Sequence, residues 1–275
     1  MISRDDVGSW VELGDGVFAR RYAELDLTVG LVLGSARALV IDTRGDGVQG
    51  AELAASVRSL TGLPLTVALT HAHFDHCFGT SAFVPAPVYA QRGCAAALAG
   101  TAEAQRAEWV AHYRGHGRPD TADALAAATV VPPGHLVDRV AGLDLGGRAV
   151  RLLHPGPGHT DHDLAVHVPD AAVVFAGDLV EQGAPPDFTD ADPSRWPAAL
   201  DRLLALRPGT VVPGHGDPVP ASFVAIQRAE LAEVAALCAR VSGGELSPAA
   251  AEHLGPYPPD SIRVALCRAA TTDSE

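Results

Sequence analysis

Between Val67 and Phe83 the chain reads VALTHAHFDHCFGTSAF, so His71, His73, Asp75 and His76 fall within six residues. Imidazole nitrogen and carboxylate oxygen form the donor set for zinc and other borderline divalent ions. His71 and His73 lie two apart directly after an apolar run. In extended chain they project to one side and can grip one ion. Asp75 and His76 come where the chain turns into its next element and can face a second ion. Four donors from six consecutive residues would strain a single coordination sphere, so two ions account for the cluster better than one.

Each ion then needs donors from elsewhere. The candidates are His159 in GPGHTDHDL, Asp178 in FAGDL and His215 in VPGHGD, each on a glycine-containing turn beside an apolar strand. His162, three residues after His159, is a further candidate to touch the site or an incoming substrate as a catalytic group. Asp163 reads as a turn-stabilising side chain and Cys77 as a small buried packing residue. His135, His154, His167 and His253 read as structural or exposed.

The elements that must carry these residues alternate. GVFARRY, LTVGLVLG and ARALVIDT are short β-branched runs separated by glycine or charged turns, and the last delivers Asp42 at its end. VQGAELAASVRSLTG has helical spacing with a stop at Gly62, and LTVALT is a second buried strand that runs into His71. AVRLLHPG, DLAVHVPD, AAVVFAGDLV and TVVPGHGD continue the strand pattern, with an amphipathic helix in DPSRWPAALDRLLALRPG and another in FVAIQRAELAEVAALCARV. The two halves echo each other: a buried strand ends in aspartate (Asp42, Asp178), a helix follows, and a second buried strand ends in histidine (His71, His215). Residues 77–147 are less regular. Helical spacing there predicts a helix over residues 101–117, with His112 and His116 on one face, as an exposed helix or a wall over the site.

The chain has 275 residues, 47% of them hydrophobic, enough for one large core. No low-complexity linker interrupts it. The expected division is a catalytic body over 1–220 and a helical C-terminal extension over 221–275. The net charge of -13 disfavours a phosphate-backbone partner, so no nucleic acid is expected. All 20 basic residues are arginine, which excludes Schiff-base chemistry on a lysine. The four cysteines never form a CxxC pair and read as reduced thiols. The start, MISRDDVGSW, lacks an apolar run after a basic segment, and no stretch approaches 18 apolar residues. A cytoplasmic protein with a small-molecule substrate and no membrane partner is expected. There is no GxSxG, and no serine or cysteine nucleophile is required.

HAHFDH, then GHT, GDL and PGHG, in that order, resembles the metallo-β-lactamase superfamily over roughly residues 15–220. The resemblance implies an α/β fold, a four-layer αββα sandwich of two mixed sheets with the site at one edge. It implies one ion on His71, His73 and His159, another on Asp75, His76 and His215, and Asp178 with a water or hydroxide bridging them. Asp42 matches the family's aspartate that orients ligand histidines. The cofactors implied are two divalent ions, zinc first, with iron or manganese as alternatives.

Departures narrow the subclass. Asp178 stands where penicillin-destroying members of one branch carry cysteine, which resembles the hydrolases of thioesters, lactones and phosphoesters. His73 stands where the diiron flavoproteins carry glutamate. The C-terminal part offers Arg228, Arg240, Arg263 and Arg268 but no lysine, which argues against glutathione use. A dinuclear metallo-hydrolase of a small ester, thioester, lactone or related acyl bond is therefore expected, with a hydroxide as nucleophile and Asp75 passing on the proton. The alternatives are a mononuclear-iron persulfide dioxygenase and a non-catalytic metal-binding module. Trp109, Tyr113 and Trp196 suggest an apolar or aromatic acyl group.

Overall fold

The computed structural model describes residues 8–272. Residues 1–7 of the MISRDDVGSW start, on which the expectation of no secretory signal rests, lie outside that range. The first sheet has seven strands in chain order: β1 (Trp10–Gly14), β2 (Val17–Arg21), β3 (Thr28–Leu33), β4 (Ala38–Ile41), β5 (Leu65–Ala68), β6 (Val88–Gln91) and β7 (His135–Val137). Its first four strands are antiparallel, and from β4 to β7 neighbours run parallel. The second sheet has six strands: β8 (Val140–Asp144), β9 (Ala149–Leu153), β10 (Ala165–Val168), β11 (Val173–Glu181), β12 (Thr210–His215) and β13 (Val219–Pro220). Only β11 and β12 are parallel in it. The helices are α1 (Gly47–Leu60), α2 (Phe74–Cys77), α3 (Arg92–Gly115), α4 (Pro119–Ala126), α5 (Trp196–Leu204), α6 (Ala221–Ser242), α7 (Pro248–Ala251) and α8 (Pro259–Thr272).

Period-two alternation in strands without polar faces explains the layering. In β4, Leu39 and Ile41 join a core with Val166, Val173 and Phe175 of the second sheet, so this apolar layer lies between the sheets. Ala38 and Val40 face the other way, into a core completed by Leu53 and Val57 of α1 and Leu98 of α3. In β11, Val174 and Ala176 turn outward onto Leu200 and Leu203 of α5, Leu231 of α6 and Ile262 of α8. Three apolar layers separate four layers of structure. This is the expected αββα sandwich, and the C-terminal helices pack on the outer face of the second sheet.

Three sequence expectations need correction. The helix predicted over residues 101–117 starts at Arg92, because the alanine-rich stretch after Gln91 is strongly helix-forming although it lacks an amphipathic pattern. Tyr113 and Trp196, read as substrate contacts, are core residues at 3% and 0% exposure, so neither meets a ligand. Large aromatic area is a strong driver of burial. Asp178 does not end its strand, since β11 runs on to Glu181.

Cys77, Cys94 and Cys238 are buried free thiols and Cys267 is exposed. No helix among the described residues is long and apolar enough to cross a membrane.

Candidate metal centre

Parallel pairing of β4 with β5, and of β11 with β12, brings their C-terminal ends to one edge of the sandwich. The backbone N–H of Leu164 donates to Thr70 O (2.7 Å) and joins the two sheets there. The chain leaves β5 through bends at Thr70, His71 and Ala72, and His73 is extended again (φ -72, ψ 145). His73 precedes the single turn of α2, which swings Asp75 and His76 back toward the sheet edge. His159 arrives on the loop between β9 and β10, Asp178 within β11, and His215 at the end of β12.

Two glycines set the position of Asp178. Gly177 adopts φ +56, and a side chain there would meet Thr70 at 2.7 Å. The register of β11 against β12 slips on both sides of it, a bulge that re-aims the next side chain. A Cβ on Gly214 would lie 1.7 Å from Asp178 Oδ1, so only glycine allows the carboxylate to rest against β12. Gly214→Ala is therefore expected to lower stability by roughly 1–3 kcal/mol, the usual cost of overpacking. An unchanged urea midpoint would contradict that.

The donors converge as two groups that share Asp178. His71, His73, His159 and Asp178 each place one donor atom within 4.8 Å of the others, and so do Asp75, His76 and His215. Asp178 Oδ2 lies 3.5 Å from His71 Nε2, 3.5 Å from His159 Nε2 and 3.3 Å from His215 Nε2, with Oδ1 3.2 Å from His76 Nε2. Asp75 Oδ2 is 3.5 Å from His215 Nε2 and 3.7 Å from His76 Nε2.

The other ring nitrogen of each histidine is occupied, which fixes the tautomers by the hydrogen-bond network. His76 Nδ1 donates to Asp42 Oδ2 (2.8 Å), and His215 Nδ1 donates to Leu25 O (2.7 Å). His159 Nδ1 donates to Asp187 O (3.3 Å), and His73 Nε2 donates to Asp190 Oδ2 (3.1 Å). His71 Nδ1 donates to Thr70 Oγ1 (3.0 Å), whose hydroxyl in turn donates to Asp42 Oδ2 (2.8 Å). Asp42 therefore orients one histidine directly and a second through Thr70, and it also accepts from Thr70 N (2.8 Å). It sits at φ +63, in the left-handed region that aspartate tolerates.

This arrangement leaves lone pairs pointing inward. His159 Nε2 and His73 Nδ1 are 3.0 Å apart, and His76 Nε2 and His215 Nε2 are 3.3 Å apart. Two imidazole lone pairs at such separations repel unless a proton or a metal ion lies between them. His71 Nε2 and Asp178 Oδ1 are buried with no hydrogen-bond partner among the described residues. Buried polar atoms are rarely left unpaired in a folded interior, so each calls for a partner from outside the chain. Burial and the neighbouring imidazoles hold His71 well below the ordinary histidine range, and burial takes His159 down to about 4. Burial also opposes charge on His76 and His215. Asp178 and the surrounding carboxylates nevertheless lift His76 well above its ordinary value and His215 to about 10. Asp178 is itself held well below the carboxylate range, against burial, by His76, His215 and His71. The field at this point calls for positive charge, and nitrogen and oxygen donors are available to bind it. The donor set fits a divalent ion in either group.

His162 stands apart from these donors. Its Nδ1 donates to Asp161 Oδ1 (2.6 Å), and its Nε2 is buried without a partner among the described residues. It borders a side cavity of about 170 Å3 that shares His73, Gln105 and Asp190 with the main one. Asp163 accepts from Thr160 N and Oγ1 and so holds the turn that presents His159. The main cavity, about 470 Å3, opens onto His73, Asp75, Asp178 and His215. Its far wall uses Gln105, Glu108 and Trp109 of α3. His112 and His116 stack on each other (4.1 Å) on the exposed side of that helix.

Sequence reading missed Glu181, which lines this cavity and lies within 4.8 Å of Asp178 and His215. Three residues apart in a regular strand, Asp178 and Glu181 would face opposite sides. The slip in β11 brings them together, and no local pattern signals it. Burial and the Asp178 carboxylate push Glu181 well above the usual carboxylate range.

The model of the metallo-beta-lactamase superfamily matches residues 25–215, more than half of the chain. Among curated relatives, an acyl-coenzyme A thioesterase, MBLAC2, of Gallus gallus is 28% identical over 248 residues, covering 84% of this chain and 88% of the relative. A metallo-beta-lactamase type 2 of Bacillus cereus is 29% identical, covering 78% and 76% respectively. Among solved structures, a metallo-beta-lactamase from Pontibacter korlensis superposes with a TM-score of 0.65 at 21% identity, over 82% of this chain and 99% of that one. That likeness concerns the fold.

Proposed function

Since this chain belongs to the metallo-beta-lactamase superfamily, we propose that it is a dinuclear metal-dependent hydrolase of a small ester, thioester or lactone. The observation that carries the reading is the pair of donor groups joined by the Asp178 carboxylate, with their inward nitrogens gathered around that carboxylate and turned toward one another. In this reading His71, His73 and His159 hold one ion, Asp75, His76 and His215 hold the other, and Asp178 serves both. Zinc suits the nitrogen-rich set best. Two such ions, when bound, polarise the acyl carbonyl and make hydroxide available near neutral pH.

The chain's own residues do the rest. Asp42, Thr70, Leu25 O, Asp187 and Asp190 keep the five imidazoles in one tautomer and one orientation. Asp75 borders the cavity beside His76 and His215, so its carboxylate is placed to accept a proton and return it to the leaving group. His162 lies off this line and is assigned to holding the His159 loop. The thioester within the class draws support from the relative named as an acyl-coenzyme A thioesterase.

Asp42→Ala is expected to weaken metal binding by about 10–100-fold, the usual cost of losing a partner behind ligand histidines. Competition with a chromogenic chelator measures this, and an unchanged affinity would remove Asp42 from its assigned role. The proposal as a whole is tested by metal analysis of protein isolated without added metal, followed by a panel of chromogenic esters, thioesters, lactones and a cephalosporin. Two zinc ions and turnover of an acyl substrate support it. One iron with no hydrolysis would replace it with the dioxygenase reading.

A further inference from the structure

Leu25 and Asp26, on the turn Glu24–Asp26 between β2 and β3, are consecutive residues in the left-handed region, at φ +55 and φ +60. Aspartate tolerates that region, whereas a bulky leucine adopts it at a cost. Such backbone persists only where its surroundings hold it. Both main-chain oxygens of this pair are used at the metal centre. Leu25 O accepts from His215 Nδ1 (2.7 Å), and Asp26 O accepts from Gly216 N (2.9 Å). The four other imidazoles take their orienting partners elsewhere, from Thr70, Asp190, Asp42 and Asp187.

The turn is gripped from the side away from the ions. Glu24 is buried, and its carboxylate accepts from the Tyr113 hydroxyl (2.7 Å) through Oε1 and pairs with Arg118 through Oε2. Tyr113 belongs to the last turn of α3, and Arg118 immediately precedes α4. Arg118 N donates to Tyr113 O (2.9 Å), and its guanidinium lies over the tyrosine ring (5.1 Å). Moving Glu24 would strip a buried carboxylate of these partners, which is costly, so its backbone is pinned one peptide away from Leu25. At the other end Asp26 pairs with Arg21 (2.8 Å), but that pair is partly exposed and holds weakly.

We propose that Tyr113 and Arg118 are positioning residues for one of the two ions. Acting through Glu24, they hold the strained turn so that Leu25 O fixes the His215 ring, and with it the ion on Asp75, His76 and His215. The ion on His71, His73 and His159 does not depend on them. The existence of two ions rests on the dinuclear reading; the identity of the substrate plays no part.

Metal uptake, not turnover, tests this. Zinc is titrated into metal-free parent, Tyr113→Phe and Arg118→Gln in competition with a chromogenic chelator. Proton NMR of the cobalt(II)-loaded proteins records the exchangeable ring N–H signals, and the one missing in His215→Asn marks His215. In Tyr113→Phe one affinity should fall about tenfold, the low end of what an orienting partner is worth, while the other stays. The His215 signal alone should move or exchange faster with solvent. Adding Leu25→Gly to Tyr113→Phe should recover most of the lost affinity while lowering Tm, because glycine adopts φ +55 without strain but packs no side chain. A merely structural role would move affinity and Tm down together. Arg118→Gln, at an exposed side chain, keeps the test informative if Tyr113→Phe disturbs the fold. Two affinities unchanged, or both falling equally, would overturn the inference. Uptake of a single ion by the parent would overturn the dinuclear reading instead, and the His215 signal would then decide the inference by itself.

Discussion

Asp178→Asn should reduce kcat/KM by more than about a hundredfold and lower the bound metal, because even partners lying behind ligand histidines are worth roughly 10–100-fold. The carboxylate lies within 3.2–3.5 Å of His71, His76, His159 and His215. Asparagine keeps the shape but replaces one oxygen by an NH2 group. That group donates, and it cannot ligate an ion with the strength of a carboxylate oxygen. The change also removes the one buried negative charge that both donor groups share. Because Asp178 is held well below the usual carboxylate range, the parent carries that charge throughout the neutral range. The measurement is steady-state turnover on the best panel substrate, with metal content by elemental analysis. Near-parent turnover with two ions retained would refute the shared role of Asp178. The same protein with one ion lost would place Asp178 on a single ion.

The second large effect concerns stability. Trp196 is fully buried at the start of α5, packed on Phe188 (5.5 Å) and on the ring of His159 (5.8 Å). Its indole Nε1 donates to Leu179 O (3.1 Å), next to Asp178. Trp196→Ala opens a cavity between the outer helices and the second sheet and should cost about 3–5 kcal/mol. That corresponds to a fall in Tm of roughly 10 °C for a chain of this size. Trp196→Phe fills most of the space but leaves the Leu179 carbonyl without its donor, so about 1–2 kcal/mol is expected. Denaturation of the two variants beside the parent reads both values. A Trp196→Ala variant as stable as the parent would show that α5 contributes little to holding the β11 edge.

The two variants separate what composition could suggest from what packing decides. Trp109, Tyr113 and Trp196 look alike in sequence, as large aromatics near the site-bearing segments. Of these three, Trp109 alone reaches the cavity. Tyr113 turns from α3 into the core with its hydroxyl donating to Glu24 (2.7 Å). The difference lies in which helix face meets the sheet, and that depends on how α3 docks. Its start at Arg92 was equally illegible, because alanine-rich helix carries no amphipathic stripe by which its beginning could be seen. The strands were more legible. ALVI in β4 and VVFA in β11 are apolar on both faces, and such runs belong between two covering layers whatever their neighbours are.

By itself the sequence determined the chemistry of four donors, since His71, His73, Asp75 and His76 are fixed by spacing within one turn of chain, while Asp42 came in as their orienting partner through the family resemblance. His159, Asp178 and His215 were recognisable as candidates because each follows glycine beside an apolar strand. Only the tertiary structure decided that Asp178 stands between two groups of imidazoles, that Asp42 reaches His71 through Thr70, and that Glu181 joins the cavity wall. Those relations depend on the bulge at Gly177, the bare backbone at Gly214 and the meeting of two sheet edges. Most of them link residues far apart in the chain. Residue type and spacing specify what an atom can bind, while the distance between atoms on separate strands is set by packing, which no local pattern encodes.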